Sequence, residues 1–307
     1  MSKNIVVIGS SNTDMIIKLK QIPKPGETVI GGKFSTASGG KGANQAVAAV
    51  RAGGNVVFIG RVGKDMFGER TIKGFKSYGL KTNKIIKDEN EPSGVALIFV
   101  DDKGENSIAV ASGANAYLSP QNVKDNADII TKAEVLLVQL ETPIETVETA
   151  VRIAAENKVK VILNPAPARK LSKALLKSVS IITPNETEAE LLTGISIKNQ
   201  SDVEDAAIKL KELGVETIII TLGSKGSFVL SKTFTGMVPA FRVKAVDTTA
   251  AGDVFNGALA VALSEKKELK EAVEFASAAA ALAVMKLGAQ TSAPSREEIE
   301  KMLKRQK

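Results

Sequence analysis

Short apolar runs rich in Val and Ile recur along the chain, at residues 5–8, 56–59, 135–138, 159–163, 179–182, 217–221 and 228–230. The runs are continuous rather than alternating, the pattern of strands buried on both faces in a parallel sheet. Between them lie segments with small and apolar residues at helical spacing. One covers 43–52. Another, 144–157, begins directly after Pro143, a residue type favoured at the start of a helix. A third, 202–213, stops at Gly214, a common helix terminator. Strand and helix signals alternating in this way predict an α/β fold with helices on both faces of one sheet.

Two stretches break the rhythm. Residues 15–38 hold a short apolar run, the turn Pro23-Lys24-Pro25-Gly26 and then Thr28-Val29-Ile30. Residues 94–111 read as a hairpin, with strand signals at 95–100 and 107–111 around Asp101-Asp102-Lys103-Gly104-Glu105. No helix fits between those strands. Together the two stretches predict a small, mostly antiparallel sheet inserted into the α/β body. The hairpin is apolar on both parities, with Val95, Leu97 and Phe99 against Ala96, Ile98 and Val100. One face can cover a ligand, and the other predicts a partner surface, hence a homodimer.

Composition sharpens the reading chiefly through its gaps. Of 307 residues none is Cys, His or Trp. Without Cys there is no disulfide, thiolate nucleophile or Cys-held metal. Without His there is no Ser-His-Asp triad and no imidazole metal ligand. A general base must then be Asp, Glu, Lys or Tyr, and a metal must be a hard ion held by oxygen. The net charge is +7, from 41 Lys and Arg against 34 Asp and Glu. The basic residues are spread along the chain apart from one run at 301–307, and ten Phe with two Tyr make a poor stacking platform, so no nucleic-acid partner is expected. The longest apolar stretch, 278–285, is far shorter than the roughly 18 residues of a membrane span, and the apolar run at 5–8 is too short for a signal peptide. The expectation is a cytoplasmic protein, away from membranes, with a single α/β domain over 1–307 carrying the inserted segments at about 15–38 and 94–111.

The chemistry-bearing residues gather where strands end. After the first strand stands Gly9-Ser10-Ser11-Asn12-Thr13-Asp14, which is not a dinucleotide fingerprint. Asn12 and Asp14 suit a pair of hydroxyl ligands, and equally an Asx turn. Ser38-Gly39-Gly40-Lys41-Gly42-Ala43-Asn44-Gln45 opens a helix, with Lys41 and Asn44 as donors and glycines that let a ligand, or simply a turn, come close; the Ser or Thr of a P-loop is missing. Glu141 follows the run at 135–138, and Asn185…Glu188 follows the run at 179–182, spaced to share one face of a first helical turn. That pair suits a magnesium shell or phosphate, and also a plain capping box. Leu222-Gly223-Ser224-Lys225-Gly226 is a glycine turn after the run at 217–221. The sharpest candidate is Asp247-Thr248-Thr249-Ala250-Ala251-Gly252-Asp253, small residues running into a helix. Consecutive N–H groups at 250–253 would form an anion site, with Asp253 in the first turn beside it. Polar strand ends of this kind are where open α/β sheets bind ligands.

At these residues the sequence resembles the ribokinase family, the sugar and nucleoside kinases also called the PfkB family. Gly39-Gly40-Lys41-Gly42-Ala43-Asn44-Gln45 resembles its N-terminal signature, Asp247-Thr248-Thr249-Ala250-Ala251-Gly252-Asp253 its C-terminal one, and Asn185-Glu186-Thr187-Glu188 its magnesium and phosphate motif. Asn164-Pro165-Ala166-Pro167 and Gly288-Ala289-Gln290 narrow the likeness toward ribose-specific members. The resemblance implies a three-layer α/β/α sandwich with a small β-sheet lid that pairs with a second subunit. It implies transfer of the ATP γ-phosphoryl to the 5-hydroxyl of D-ribose, with Mg2+ required and K+ as activator. Carried across position by position, Asn12, Thr13, Asp14, Gly40, Lys41, Gly42, Ala43, Asn44 and Glu141 would surround the sugar. Asn185, Glu188, Thr221, Leu222, Gly223, Ser224, Lys225, Gly226, Gly252 and Ser277 would lie along ATP. Asp253 would be the base, beside the anion hole of Ala250, Ala251 and Gly252. Asp247, Thr249, Ala283, Lys286, Gly288 and Ser292 would surround potassium, Lys286 only through its carbonyl. Other readings are a family kinase for a different sugar or nucleoside, or a silent sugar-binding regulator, which would be expected to lose Asp253 or the glycines.

Overall fold

The structure, a computed structural model, describes residues 4–305; Gln306 and Lys307 of the basic run, and Met1 to Lys3, lie outside the described residues. The strands are β1 (Asn4–Ile8), β2 (Asn12–Lys18), β3 (Lys33–Gly39), β4 (Asn55–Gly63), β5 (Ile85–Asp88), β6 (Gly94–Val100), β7 (Asn106–Ala111), β8 (Val135–Val138), β9 (Lys160–Leu163), β10 (Ile181–Ile182), β11 (Thr217–Thr221), β12 (Ser227–Leu230) and β13 (Thr235–Val238). The helices are α1 (Lys41–Arg51), α2 (Met66–Ser77), α3 (Pro120–Lys124), α4 (Ala127–Ile130), α5 (Ile144–Glu156), α6 (Lys173–Lys177), α7 (Glu186–Thr193), α8 (Gln200–Glu212), α9 (Ala251–Ser264), α10 (Leu269–Ala283) and α11 (Arg296–Lys304).

A nine-stranded sheet runs β13-β12-β11-β10-β9-β8-β1-β4-β5. It is parallel from β11 to β5, and β12 and β13 add an antiparallel edge. The run at 228–230 is therefore strand, as read, but antiparallel, because a tight turn at 222–226 returns the chain beside β11. The continuous apolar runs have their physical reason in the two cores. Ile5 and Val7 of β1 face one cluster, with α1, α9 and α10; Val6 and Ile8 face the other, with α5 and α8. Central runs such as 5–8 and 135–138 are apolar at successive positions because both faces are covered. Among the described residues no helix is long and apolar enough to cross a membrane.

The second sheet has the order β3-β2-β6-β7 and contains the two stretches that broke the rhythm. Two of its pairings are antiparallel, and the central one, β2 with β6, is parallel. β2 leaves the carboxyl end of β1 after three residues, and β3 returns directly into α1. The sheet is thereby tied to the end of β1 where the chain reverses its strand order, with β4 on one side and β8 on the other. That is the position at which an open α/β sheet leaves a crevice.

The Ala-rich α10 ends at Ala283. The carbonyl of Val284, just beyond it, accepts the N–H groups of Val246 at 2.7 Å and Asp247 at 3.1 Å. An incoming loop takes an acceptor at the helix end, and the chain turns away.

Candidate active site

The cleft at the carboxyl edge of the main sheet spans about 550 Å³ with its open mouth included, and its walls come from the ends of β9, β10 and β11 (Asn164, Thr183, Thr221), the start of α1 (Lys41), Asn185 and Glu188 at the start of α7, and Thr248 with residues 250–253. Asp253 lies in its floor. It is 6% exposed and sits in the first turn of α9. Both carboxylate oxygens are held: Asn44 Nδ2 donates to Oδ2 and Gln45 Nε2 to Oδ1, each at 2.9 Å. Burial pushes the Asp253 carboxyl up, while the Lys41 charge and the two amide donors hold it back.

The helix start beside it is open. Ala250, the residue before α9, is in the left-handed region at φ 59°, and no side chain caps the helix among the described residues. A non-glycine residue there is strained and must be held by its surroundings. Of the N–H groups at 250–253, that of Ala251 bonds the Thr248 carbonyl at 3.2 Å. The candidate donors thus narrow to Ala250, Gly252 and Asp253, where the helix dipole also favours an anion. The Gly252 position is unobstructed, with nothing within 4 Å of where a Cβ would stand.

The start of α1 is built differently. Gly40 precedes it at φ 88°, and no side chain of its own turn caps it. The cap arrives from 100 residues away: Glu141 Oε2 accepts the Lys41 N–H at 2.9 Å and the Ser10 hydroxyl at 2.5 Å. Gly42 is glycine for a packing reason, since a Cβ there would stand 2.7 Å from the backbone of Gly9. A Cβ on Gly40 would stand 2.7 Å from Ser11. The space beside both glycines is filled by the chain's own loop, which explains their identity without a ligand. Asn44 keeps Oδ1 buried with no partner, facing no donor of the protein.

On the second sheet, Asn12 and Thr13 are buried and Asp14 half-buried. Asn12 Oδ1 accepts from Asn115 Nδ2 at 2.8 Å, and the same amide clamps Ser11. Burial, with the Glu141 charge second, pushes the Asp14 carboxyl up to about 6. Asn185 and Glu188 form a full capping box on α7, the plainer of the two readings of that pair. Both also line the cleft, and burial pushes the Glu188 carboxyl up.

Not every candidate converges there. Leu222 and Lys225 line a second cleft of about 560 Å³ with Asn199, Gln200 and Met237, while Gly223 and Ser224 are exposed. Ala43 and Ser277 are buried in α1 and α10. The candidates Asp247, Thr249, Ala283, Lys286, Gly288 and Ser292 form a separate cluster. Asp247 joins its two loops, accepting from Thr249 N and Gly288 N at 2.9 Å each. Burial opposes its charge, but those bonds and Lys18 hold its carboxyl below the usual range. The Lys286 ammonium turns away to Glu298 at 2.7 Å, and Ser292 is fully buried. Asn115, Gln139, Asn164 and Asn256 are buried polar residues next to the site that were not among the candidates. Gln139 and Asn164 directly follow strands, Asn164 within the Asn-Pro-Ala-Pro run, while Asn115 lies in a short 3-10 turn and Asn256 inside α9; none of these positions reveals a distant partner.

A buried carboxylate in the floor of a polar cleft, beside an open helix start, is an arrangement suited to phosphoryl transfer. Residues 2–296 match the family model described as pfkB family carbohydrate kinase. The chain belongs to that family. It is 48% identical over 298 residues to a ribokinase of Haemophilus influenzae, covering 97% of each chain. It is 39% identical to a deoxyribokinase of Salmonella typhi, covering 98% of each. Among solved structures it resembles Arabidopsis thaliana ribokinase complexed with ribose and ATP, with TM-score 0.92, 34% identity and 99% of both chains covered.

Proposed function

We propose that this kinase transfers the γ-phosphoryl of ATP to the 5-hydroxyl of D-ribose, giving ribose 5-phosphate and ADP. The observation that carries the reading is Asp253: buried, held at both oxygens, and set at the open start of α9. The likeness to ribokinases over nearly the whole chain supports the sugar.

In this reading Asn12, Asp14, Lys41, Asn44 and Glu141 hold the ribose hydroxyls. The free Oδ1 of Asn44 accepts from one of them, and Glu141 uses the oxygen not spent on capping α1. Asp253 takes the proton of the 5-hydroxyl as its oxygen attacks phosphorus. The N–H groups at the start of α9 then stabilise charge on the transferring group, as phosphoryl transfer demands alignment and electrostatics more than covalent chemistry. Asn185, Thr221, the turn 222–226, Gly252 and Ser277 line the path of ATP. The second sheet excludes water, the competing acceptor.

Two ions belong to the reading. The oxygen donors of Asn185 and Glu188, with a single carboxylate between them, fit a magnesium ion that keeps most of its waters and neutralises phosphate charge. The Asp247 cluster fits a large monovalent ion, held by that carboxylate, Ser292 and the carbonyls of Thr249, Ala283, Lys286 and Gly288. Potassium there would order the turn that carries Ala250. We also read the protein as a homodimer through the second sheet, working in the cytoplasm where ATP is supplied.

The test is a coupled ADP-release assay over ribose, 2-deoxyribose, fructose and adenosine. Ribose should give the highest kcat/KM. The likeness to a deoxyribokinase makes 2-deoxyribose the second reading, and its turnover above that of ribose would replace the first. Ribose turnover no greater than ATP hydrolysis without sugar would reject it.

A further inference from the structure

Behind Asp253 lies a row of buried amides that the mechanism above does not use. Gln45 Nε2 donates to Asp253 Oδ1 at 2.9 Å and to Asn164 Oδ1 at 3.0 Å. Gln45 Oε1 accepts from Gln139 Nε2 at 2.5 Å. Asn164 Nδ2 donates to the Thr183 carbonyl at 3.3 Å. Gln45 is fully enclosed and Gln139 is 1% exposed.

The direction of every bond is set from the far end. A main-chain carbonyl can only accept, so Asn164 turns its NH2 to Thr183 and its oxygen to Gln45. Gln45 must answer with its own NH2. One of its two N–H groups goes to Asn164 and the other to Asp253, and its oxygen is left for Gln139. The row therefore meets Asp253 with a donor, never an acceptor. Asn44 does the same at the other oxygen. A carboxylate satisfies both donors at once, whereas a proton on either bonded lone pair would face an N–H. Enclosed amides are costly unless matched, and apolar side chains would fill this space more cheaply. What the row secures is one orientation and one protonation state of one carboxylate.

We propose that Gln45, locked by Gln139 and Asn164, is the positioning residue of Asp253, fixing the rotation of its carboxylate and keeping it an acceptor ready for the sugar hydroxyl proton. This rests on the reading of Asp253 as the base. Burial works against the charged form of Asp253, and the Gln45 hydrogen bond is one of the contacts that favour it. The other charged groups facing it are Lys41 of α1, Glu141 beyond β8 and Glu188 of α7, and none is altered in the test below.

The test is the pH profile of kcat/KM, whose acidic limb reports the base in the free enzyme. Gln45→Glu keeps the shape and replaces the donor by a second carboxyl, so the pair must share a proton. Its acidic limb should move up by about one pH unit or more, with the ribose KM held within roughly threefold. Gln45→Met, which removes the donor at constant length, should lower kcat by about 10- to 100-fold, again with little change in KM. A limb within about 0.3 pH units of wild type and a kcat within about twofold would overturn the proposal. If neither variant folds, Gln139→Met decides. It touches neither cleft nor carboxylate, so a kcat lowered at least about threefold at unchanged KM, with the limb raised, supports the role, and wild-type values overturn it. The profile is taken with whichever sugar the wild-type protein phosphorylates best, so failure on ribose alone defeats the substrate reading and leaves this test intact.

Discussion

Asn44 and Asp253 lie 209 positions apart in the chain, yet Asn44 Nδ2 sits 2.9 Å from Asp253 Oδ2. The bond joins the first turn of α1 to the first turn of α9, so the two signatures of the family meet as one piece of geometry. The two residues are positioned against each other by helix starts. Replacing Asp253 by Asn should leave the fold and sugar binding largely intact, although its single oxygen can serve only one of the Asn44 and Gln45 donors. Turnover should fall by about two to four powers of ten, the usual range for a positioned base. Near-normal kcat in a folded variant, measured by ADP release, would move the base elsewhere.

Asp14 makes a prediction in stability. Burial, with the Glu141 charge second, pushes its carboxyl from the ordinary 3.8 up to about 6 in the folded protein. A raised acid is harmless while protonated in both states, so its cost is absent below 3.8, grows as pH rises toward 6, and is then constant. Asp14→Asn should accordingly stabilise the protein at pH 7 to 8 by about 1–2 kcal/mol, after allowance for solvent screening of a half-buried group. The gain should vanish near pH 4. Denaturant unfolding at the two pH values checks it, and a gain that is equal at both would refute the burial argument. If Asp14 holds a ribose hydroxyl, as proposed, ribose KM should rise in the same variant.

Two glycine substitutions should differ in sign. Gly42→Ala drives a methyl to 2.7 Å from the Gly9 backbone, where neither α1 nor the loop after β1 can yield easily. It should cost about 1–3 kcal/mol and reduce activity, because the loop carries Ser10 and Asn12. Gly74, inside α2, has open space around its Cβ position, and Gly74→Ala should stabilise by about 0.5–1 kcal/mol through helix propensity. Thermal unfolding of both variants reads the contrast.

The second sheet should bring two chains together. By its register, Ile16, Ile98 and Ile108 share the face of Asp14, while Met15, Leu97, Phe99 and Phe34 share the other. Phe34 is 61% and Leu97 47% exposed in the single chain. Apolar positions on both faces of a thin sheet call for cover on both. Light scattering at micromolar concentration should give a dimer, and Phe34→Lys with Leu97→Lys a monomer. A monomeric wild type would remove the interface.

How much of this was visible beforehand differs by element. The apolar runs showed the buried strands because two covered faces leave no polar position, as at 5–8 and 135–138. The meeting of Asn185 and Glu188, which follow a strand, with the turn at 250–253 agrees with the rule for polar strand ends. What stayed hidden was pairwise. Nothing local in Gln139 says that its amide meets Gln45, 94 residues away, or in Glu141 that it caps α1. The glycines were legible as glycines but not for their reason, the close approach of a strand end. The antiparallel return of β12 depended on one turn, and apolar content alone does not carry strand direction.

Potassium provides the last test. Asp247 accepts one N–H on each oxygen, from Thr249 and from Gly288, and so ties the turn before α9 to the loop after α10. Those two bonds alone could hold the loops, in which case no ion is needed. If a monovalent ion also sits there, its effect must pass through Ala250, whose φ of 59° is sustained only by its surroundings. Ordering that residue aims the N–H groups at the transferring phosphoryl, which matters in the transition state rather than in ribose binding. Replacing potassium by lithium or a bulky organic cation at constant ionic strength should lower kcat about tenfold or more and change the ribose KM little. Asp247→Asn, which keeps an oxygen for only one of the two N–H groups, should lower kcat and flatten the response to potassium. A wild-type rate indifferent to the cation would leave Asp247 as a tie between loops and nothing more.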